Sequence, residues 1–233
     1  MVAQPKIHSA TTEECDVTDW ADVPMPLVIN ISPILKSVAG KLTDKEIDEW
    51  FAGMAKSNEG RGFYLELTGE GELVINAMVN RDGGYAEGQL FGTLFVWVEA
   101  HDGETYPSRT IVRLPDGSRT EPDAVWLSPE QVAELPPLSD GGAITVCPAF
   151  VAEIMSSTDR LPPSQRKMEL YMANGAKMGW LIDPYRRRVY VYFPGAEPLE
   201  LTDPEVIAGD PVMPGFMFEV RRRIFDIHQT AQQ

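Results

Sequence analysis

Phe150-Val151-Ala152-Glu153-Ile154-Met155 is an apolar run broken by a single carboxylate. In a strand, alternate side chains face opposite sides, so Phe150, Ala152 and Ile154 point one way and Val151, Glu153 and Met155 the other. Apolar residues on both faces predict a central strand covered on both sides. A charge within such a strand is costly unless a metal ion or an opposite charge compensates it. Glu153 is therefore the residue to explain, and a metal ligand is the reading that explains it best.

Working outward, Ser164 to Asn174 has helical spacing, with Lys167 and Tyr171 four apart on one face and Asn174-Gly175 as a left-handed stop. Tyr171 reads as packing. Gly179 to Asp183 is a short apolar strand, and Arg188 to Phe193 alternates with Tyr190 and Tyr192 on one face. Val212 to Val220 reads as one more strand, with Ile224 and Phe225 docking the end of the chain.

Upstream, Thr110–Leu114 and Ala124–Leu127 read as a hairpin about the turn Pro115-Asp116-Gly117-Ser118. Tyr85 to Ala100 reads as a helix, with Leu90, Leu94, Trp97 and Val98 at steps of three and four. Glu87 falls in its first turn, where the helix dipole alone would favour a carboxylate. Asp82-Gly83-Gly84 reads as a break before it. Residues 62–67 and 72–78 read as a hairpin about Thr68-Gly69-Glu70-Gly71. Thr43 and Glu46 form a capping box for a helix with Ile47, Trp50, Phe51 and Met54 on one face. Residues 1–41 read as an extension, with a strand near Leu27–Ile31, ahead of a single domain over 42–233.

The 233 residues suit a sizeable core. No apolar run is long enough to span a membrane, and no secretory leader is evident. Two unrelated cysteines, Cys15 and Cys147, suggest a reducing cytoplasm, and with only His8, His101 and His228 they argue against a zinc site. The net charge of −15 weighs against nucleic acid, whose phosphates favour a basic surface. The charge is uneven, however. Arg160, Arg166, Lys167, Lys177 and Arg186-Arg187-Arg188 meet only Glu169 and Asp183 over 160–188, and Arg221-Arg222-Arg223 is a further basic cluster. These runs read either as a local basic face or as solvated surface charge.

Three residues stand in a chemically suggestive order. Asp123 opens a strand after Pro122, Glu153 follows 30 residues later, and Lys167 lies in the next helix. Adjacent strands would bring the two carboxylates together. Two oxygen ligands on rigid strands suit Mg²⁺, or Mn²⁺ in its place, because Mg²⁺ keeps several waters and needs few protein carboxylates. A lysine beside them can orient a water or offset charge on a phosphoryl oxygen. Other readings stand beside this one. Asp123 could cap a strand entry, Lys167 could lie along the helix surface over Tyr171, and Glu153 could pair with an arginine. Paired carboxylates also serve glycosidases, without a metal.

Several segments together resemble the Uma2 family (DUF820) of the PD-(D/E)XK restriction endonuclease-like superfamily. They are Leu42-Thr43-Asp44, the stretch Leu65-Glu66-Leu67-Thr68-Gly69-Glu70-Gly71, Pro122-Asp123, Val151–Ser156, Lys167–Tyr171, Gly175 and Trp180-Leu181-Ile182-Asp183-Pro184. The resemblance implies an α/β fold with a mixed sheet: an αβββαβ core, read here over Tyr85–Asp183, with an added N-terminal helix and β-hairpin. It implies a metal-dependent endonuclease with Asp123 and Glu153 as Mg²⁺ or Mn²⁺ ligands and Lys167 from the following helix. It also implies Glu87 as a third acid, with Glu66 as its rival. DNA rather than RNA is the implied partner, and a homodimer the implied assembly. The chain departs from the superfamily pattern at Met155, where a lysine usually stands two residues after the strand acid. That departure and the acidic charge favour the alternative, a catalytically inactive nuclease-fold binding protein.

Overall fold

The computed structural model describes residues 26–38, 41–57, 63–77, 79–136 and 142–227. Residues 1–25 and 39–40 of the extension read over 1–41, the end of the Thr43 helix past Ser57, and loop residues 137–141 lie outside these. Strand β1 (Leu27–Asn30) and helix α1 (Ser32–Val38) come first, followed by α2 (Asp44–Ser57). The Thr43 box forms: the Thr43 amide donates to Glu46 at 2.6 Å and the Glu46 amide returns to Thr43 Oγ1 at 3.3 Å. Of the four stripe residues on α2, Phe51 is fully buried while Trp50 is largely exposed. Strands β2 (Phe63–Leu67) and β3 (Glu72–Ala77) make the expected hairpin, with Gly71 at φ 88° closing the turn.

Helix α3 (Arg81–Val98) begins four residues earlier than the sequence suggests. Asn80 caps it by accepting from the Gly83 amide, so Gly83 and Gly84 sit in the first turn. The amides of that turn lack intrahelical partners in any helix, and the side-chain cap replaces one of them. Glu87 consequently lies beyond the first turn, and the helix dipole does not account for it.

The hairpin read over 110–127 is a different structure. Strand β4 (Glu104–Pro107) precedes a small hairpin of β5 (Val112–Arg113) and β6 (Arg119–Thr120), and β7 (Ala124–Leu127) pairs with β4 instead. The turn at 115–118 forms as expected, with Leu114 N donating to Ser118 O, but the returning strand is Arg119–Thr120 rather than β7. Pro122, with no amide to donate, then ends that ladder. Next come α4 (Pro129–Glu134), capped by Ser128 and Gln131, β8 (Phe150–Ile154) and α5 (Leu161–Ala173). Helix α5 starts at Leu161 rather than Ser164, because Pro162 and Pro163 occupy first-turn positions where a missing amide costs little. Strands β9 (Met178–Asp183), β10 (Arg188–Tyr192), β11 (Leu199–Thr202), β12 (Ile207–Ala208) and β13 (Met217–Phe218) follow, then a π-helical turn (Arg221–Phe225). Only Met217–Phe218 of the strand read over 212–220 is paired.

Two larger sheets result. One is antiparallel, in the order β1-β3-β2-β6-β5; the other runs β11-β10-β9-β8-β7-β4, with β8 and β9 parallel. Elements α3, β4, β7, β8, α5 and β9 reproduce the αβββαβ order, with β5–β6 inserted between its first two strands. Strand β8 is central and covered on both faces. Phe150 and Ala152 pack with Leu90, Leu94, Trp180 and Phe216, and Val151 and Met155 with Met168, Tyr171 and Leu181. Ile224 and Phe225 are buried, as expected of a docked terminus. Among the described residues no helix is long and apolar enough to cross a membrane.

Phe150 is fully buried with its ring edge-on to Trp180 at 4.9 Å. Phe150→Ala is expected to cost about 3–5 kcal/mol. Urea unfolding followed by circular dichroism checks this, and a loss below about 1 kcal/mol would contradict the central placement of β8.

Candidate active site

The register of β7 against β8 pairs Ala124 with Ala152 and Val125 with Val151. Because the pair is antiparallel, one step further sets Asp123 opposite Glu153. Asp123 Oδ2 accepts the Ile154 amide at 2.6 Å, which ties this carboxylate to the central strand. Glu153 lies near the carboxyl end of β8 rather than at its middle. Its Oε2 meets Lys167 Nζ at 2.9 Å and its Oε1 accepts the Tyr171 hydroxyl at 2.8 Å. Lys167 and Tyr171 stand one helical turn apart on α5, so a single helix face delivers both donors. Lys167 is thus an inward-pointing cation, and the partner of Glu153 is this lysine rather than an arginine. Tyr171 packs in the core as read, and its hydroxyl also reaches the acid.

The second sheet closes the site. Glu66, on β2, meets the same Lys167 Nζ at 2.8 Å through Oε1. That oxygen also accepts the Glu121 amide at 3.1 Å, and Oε2 accepts from Asn76 Nδ2 at 3.3 Å. Glu121 Oε2 pairs with Arg109 Nε at 3.1 Å, and the Arg109 guanidinium lies over the Tyr64 ring at 5.6 Å. Arg109 adopts φ 71°, a left-handed conformation unusual for a side-chain-bearing residue. Glu87 hydrogen-bonds Ser108 and is near enough to Asp123 for its charge to act there, but no bond joins it to Asp123, Glu153 or Lys167. The fold therefore brings Asp123, Glu153 and Lys167 together, sets Glu87 at their margin, places its rival Glu66 against Lys167, and adds Glu121, Arg109 and Tyr64. The spacing of Lys167 and Tyr171 carried the signal for the tyrosine. Nothing in the sequence marks the backbone conformation of Arg109.

Five carboxylates face two cations here, and their electrostatics reflect it. Burial pushes Asp123 well above the usual carboxylate range, and the charges of Glu153 and Glu87 add to this. Burial likewise raises Glu121 to about 7, and it raises Glu153 to about 7 against the opposing pull of Lys167. Burial alone would lower Lys167, but Glu153 and Glu66 hold its ammonium well above the ordinary lysine value. A divalent cation fits such a set, since it offsets charge that the protein's own cations leave unbalanced. Among the described residues no group of three or more potential ligands is gathered as a metal site. The arrangement suits an ion content with two carboxylates and water, as Mg²⁺ is. Met155 is 4% exposed and sits among Met168, Tyr171 and Leu181. A lysine at that position would have its head buried in this apolar cluster, and the cation arrives from α5 instead.

Each arginine of the runs 186–188 and 221–223 has an acidic partner, Arg186 pairing with Asp183. Arg187 pairs with Asp203 and Asp226, Arg188 with Glu200, Arg221 with Asp203 and Glu205, and Arg222 and Arg223 with Glu219.

The acids and the lysine gather at the carboxyl end of the central strand of a mixed sheet flanked by helices. Residues 49–221 match the family model Uma2, described as "Putative restriction endonuclease", and the chain belongs to that family. A crystal structure of a "putative nuclease belonging to DUF820" from Anabaena variabilis shares the fold, with a TM-score of 0.59 at 18% identity over 70% of this chain and 90% of that one. Among curated protein sequences none matches.

The raised acids give stability a definite pH dependence. A carboxyl group with a folded pKa above its unfolded value binds its proton more tightly in the native state. Its contribution is complete below about 4.5 and is lost as pH climbs through about 7 for Glu153 and Glu121. Lys167, raised from 10.5, contributes evenly across this window. With chelator present, unfolding free energy is expected to fall by a few kcal/mol between about pH 5 and pH 8. Asp123→Asn should flatten that fall and exceed the parent in stability at the upper end. Urea titrations at each pH measure both effects, and a flat parent profile would contradict the raised values.

Proposed function

We propose that this chain is a metal-dependent endonuclease that hydrolyses phosphodiester bonds of nucleic acid, DNA rather than RNA, as a cytoplasmic homodimer. The observation that carries the reading is the facing pair Asp123 and Glu153 on adjacent strands, with the Lys167 ammonium 2.9 Å from Glu153. Asp123 and Glu153 would hold Mg²⁺ or Mn²⁺, with Glu87 assisting from α3. Such an ion would supply Lewis acidity toward a phosphoryl oxygen and would lower the pKa of a bound water. Lys167 orients the attacking water and offsets charge gathering on the phosphorus oxygens. The Tyr171 hydroxyl and the Ile154 amide each hold one oxygen of the two carboxylates, Glu153 Oε1 and Asp123 Oδ2. Arg109, 38% exposed at the rim, is the cation that a substrate phosphate meets first.

Buried Met155 and the paired arginine clusters favour a second reading, in which a nuclease fold binds a partner without cleaving it. The two separate cleanly. The first expects Mg²⁺ or Mn²⁺ to raise the melting temperature of the parent and not of Glu153→Gln; the second expects no divalent effect on either.

Asp123→Asn and Glu153→Gln should each reduce Mg²⁺- or Mn²⁺-dependent cleavage of supercoiled and linear DNA by about 100-fold or more while the circular dichroism spectrum is retained. Lys167→Met should lower kcat by about 100-fold with a smaller change in KM. Undiminished cleavage by both purified carboxylate variants would overturn the assignment.

A further inference from the structure

Lys167 has two seats. Its ammonium lies 2.9 Å from Glu153 and 2.8 Å from Glu66, which belong to different sheets. The two carboxylates are not alike. Among the described residues, Glu153 is held by groups of α5, the Lys167 ammonium and the Tyr171 hydroxyl. Glu66 is fastened at both oxygens by groups independent of α5: the Glu121 amide on Oε1 and the Asn76 side chain on Oε2. It is 8% exposed and lies on a paired strand. Glu66 is therefore a fixed post, whereas the Oε2 of Glu153 is freed by a small motion of one lysine while Tyr171 keeps its Oε1.

We infer that Glu66 is a positioning residue that takes Lys167 from Glu153 when Glu153 turns to a divalent cation, and so sets the cation affinity of a site it does not itself ligate. The inference rests on the metal-dependent reading above. While Lys167 shares Glu153 Oε2, a positive charge already occupies the place where a cation would add, and like charges at that distance repel. Glu66 offers the ammonium an equivalent ion pair without lengthening its reach, so Glu153 is freed and Lys167 keeps a buried counter-charge. Without Glu66 the ammonium would have to stay on Glu153 or stand unpaired in a nearly buried position, which is costly. Glu66 reaching for the ion directly would mean giving up three donors, from Asn76, Glu121 and Lys167. That asymmetry makes it the lysine's anchor rather than a further ligand.

A double-mutant cycle on Mn²⁺ affinity, measured by calorimetry with the full chain, tests this. Glu66→Gln should weaken Mn²⁺ binding about ten- to a hundredfold in the parent, the range seen for residues that orient metal ligands. In the Lys167→Met background, where no lysine needs a seat, the same substitution should change the Kd by less than about twofold. An equal loss in both backgrounds would make Glu66 a ligand and overturn the inference while leaving the metal-dependent reading intact. Absence of Mn²⁺ binding by the parent would remove that reading and the inference together. Should Lys167→Met fail to fold, ¹⁵N spectra of the lysine ammonium groups give an independent answer. Saturating Mg²⁺ should shift the Lys167 signal in the parent, and Glu66→Gln should then perturb it further than in the metal-free protein. A Lys167 signal unmoved by Mg²⁺ in a protein that binds it would also overturn the inference.

Discussion

The contact on which the site depends is the ammonium of Lys167 between Glu153 and Glu66. It is nearly buried, and it joins three pieces of the fold: the central strand of the six-stranded sheet, a strand of the five-stranded sheet, and helix α5. A buried ion pair is a poor device for stability as such, since desolvation cancels much of the Coulomb gain, whereas breaking one costs about 3–5 kcal/mol. Its consequence here is geometric. The lysine bridges the N-terminal hairpin and the core, with Glu66 and Tyr64 on one side and Asp123 and Glu153 on the other. Apolar packing would have brought the sheets together equally well but would have left the carboxylates without a counter-charge.

The acids gather where the chain changes sheets. Strand β6 ends at Thr120 in the five-stranded sheet, and β7 begins at Ala124 in the six-stranded one. Between them, Pro122 cannot extend either ladder, and its two neighbours are placed differently. The Glu121 amide donates to Glu66, while Asp123 binds the Ile154 amide of β8. One proline thus sends one acid to each sheet, and both carboxylates turn toward the seam. Seams of this kind are the places in a fold where backbone geometry, rather than side-chain packing, sets what can converge, and polar groups there escape close apolar contact.

Legibility in the sequence followed the range of the signal. Strand β8, its burial on both faces, the Thr43 capping box and the 63–77 hairpin were readable because each rests on local periodicity or turn chemistry. Asp123, Glu153 and Lys167 were readable as a set because a proline, an apolar strand and the following helix locate them in order. Strand β4 was not, since Glu104-Thr105-Tyr106-Pro107 is short and polar and its pairing with β7 spans the inserted hairpin. The early start of α3 was hidden by two glycines that a side-chain cap tolerates. Tyr171 looked like packing because it is packing; its hydroxyl gains a role only from the tertiary position of Glu153. The contact of Glu66 with Lys167 crosses about a hundred residues and both sheets, and single-sequence reasoning has no term for that distance.

The pairing of the arginine clusters shapes how a polyanion could approach the protein. With Arg187, Arg188, Arg221, Arg222 and Arg223 taken up by Asp203, Asp226, Glu200, Glu205 and Glu219, those clusters present little net positive field, and the net charge of −15 opposes long-range attraction. Binding of a nucleic acid in the proposed reaction would then rest on short-range groups at the site itself. The exposed Arg109 guanidinium, held over Tyr64 and steadied by Glu121, is such a group. Its strained backbone is stabilised by that ion pair and ring contact, as strain at binding sites generally is by its surroundings. Fewer phosphate contacts mean fewer counterions released, so affinity in this arrangement depends less steeply on salt than for a protein with a basic stripe. The acidity that argued against a nucleic-acid partner therefore bears on how such a partner would be held under the proposed function, by a small number of close contacts around one phosphate rather than by a charged surface.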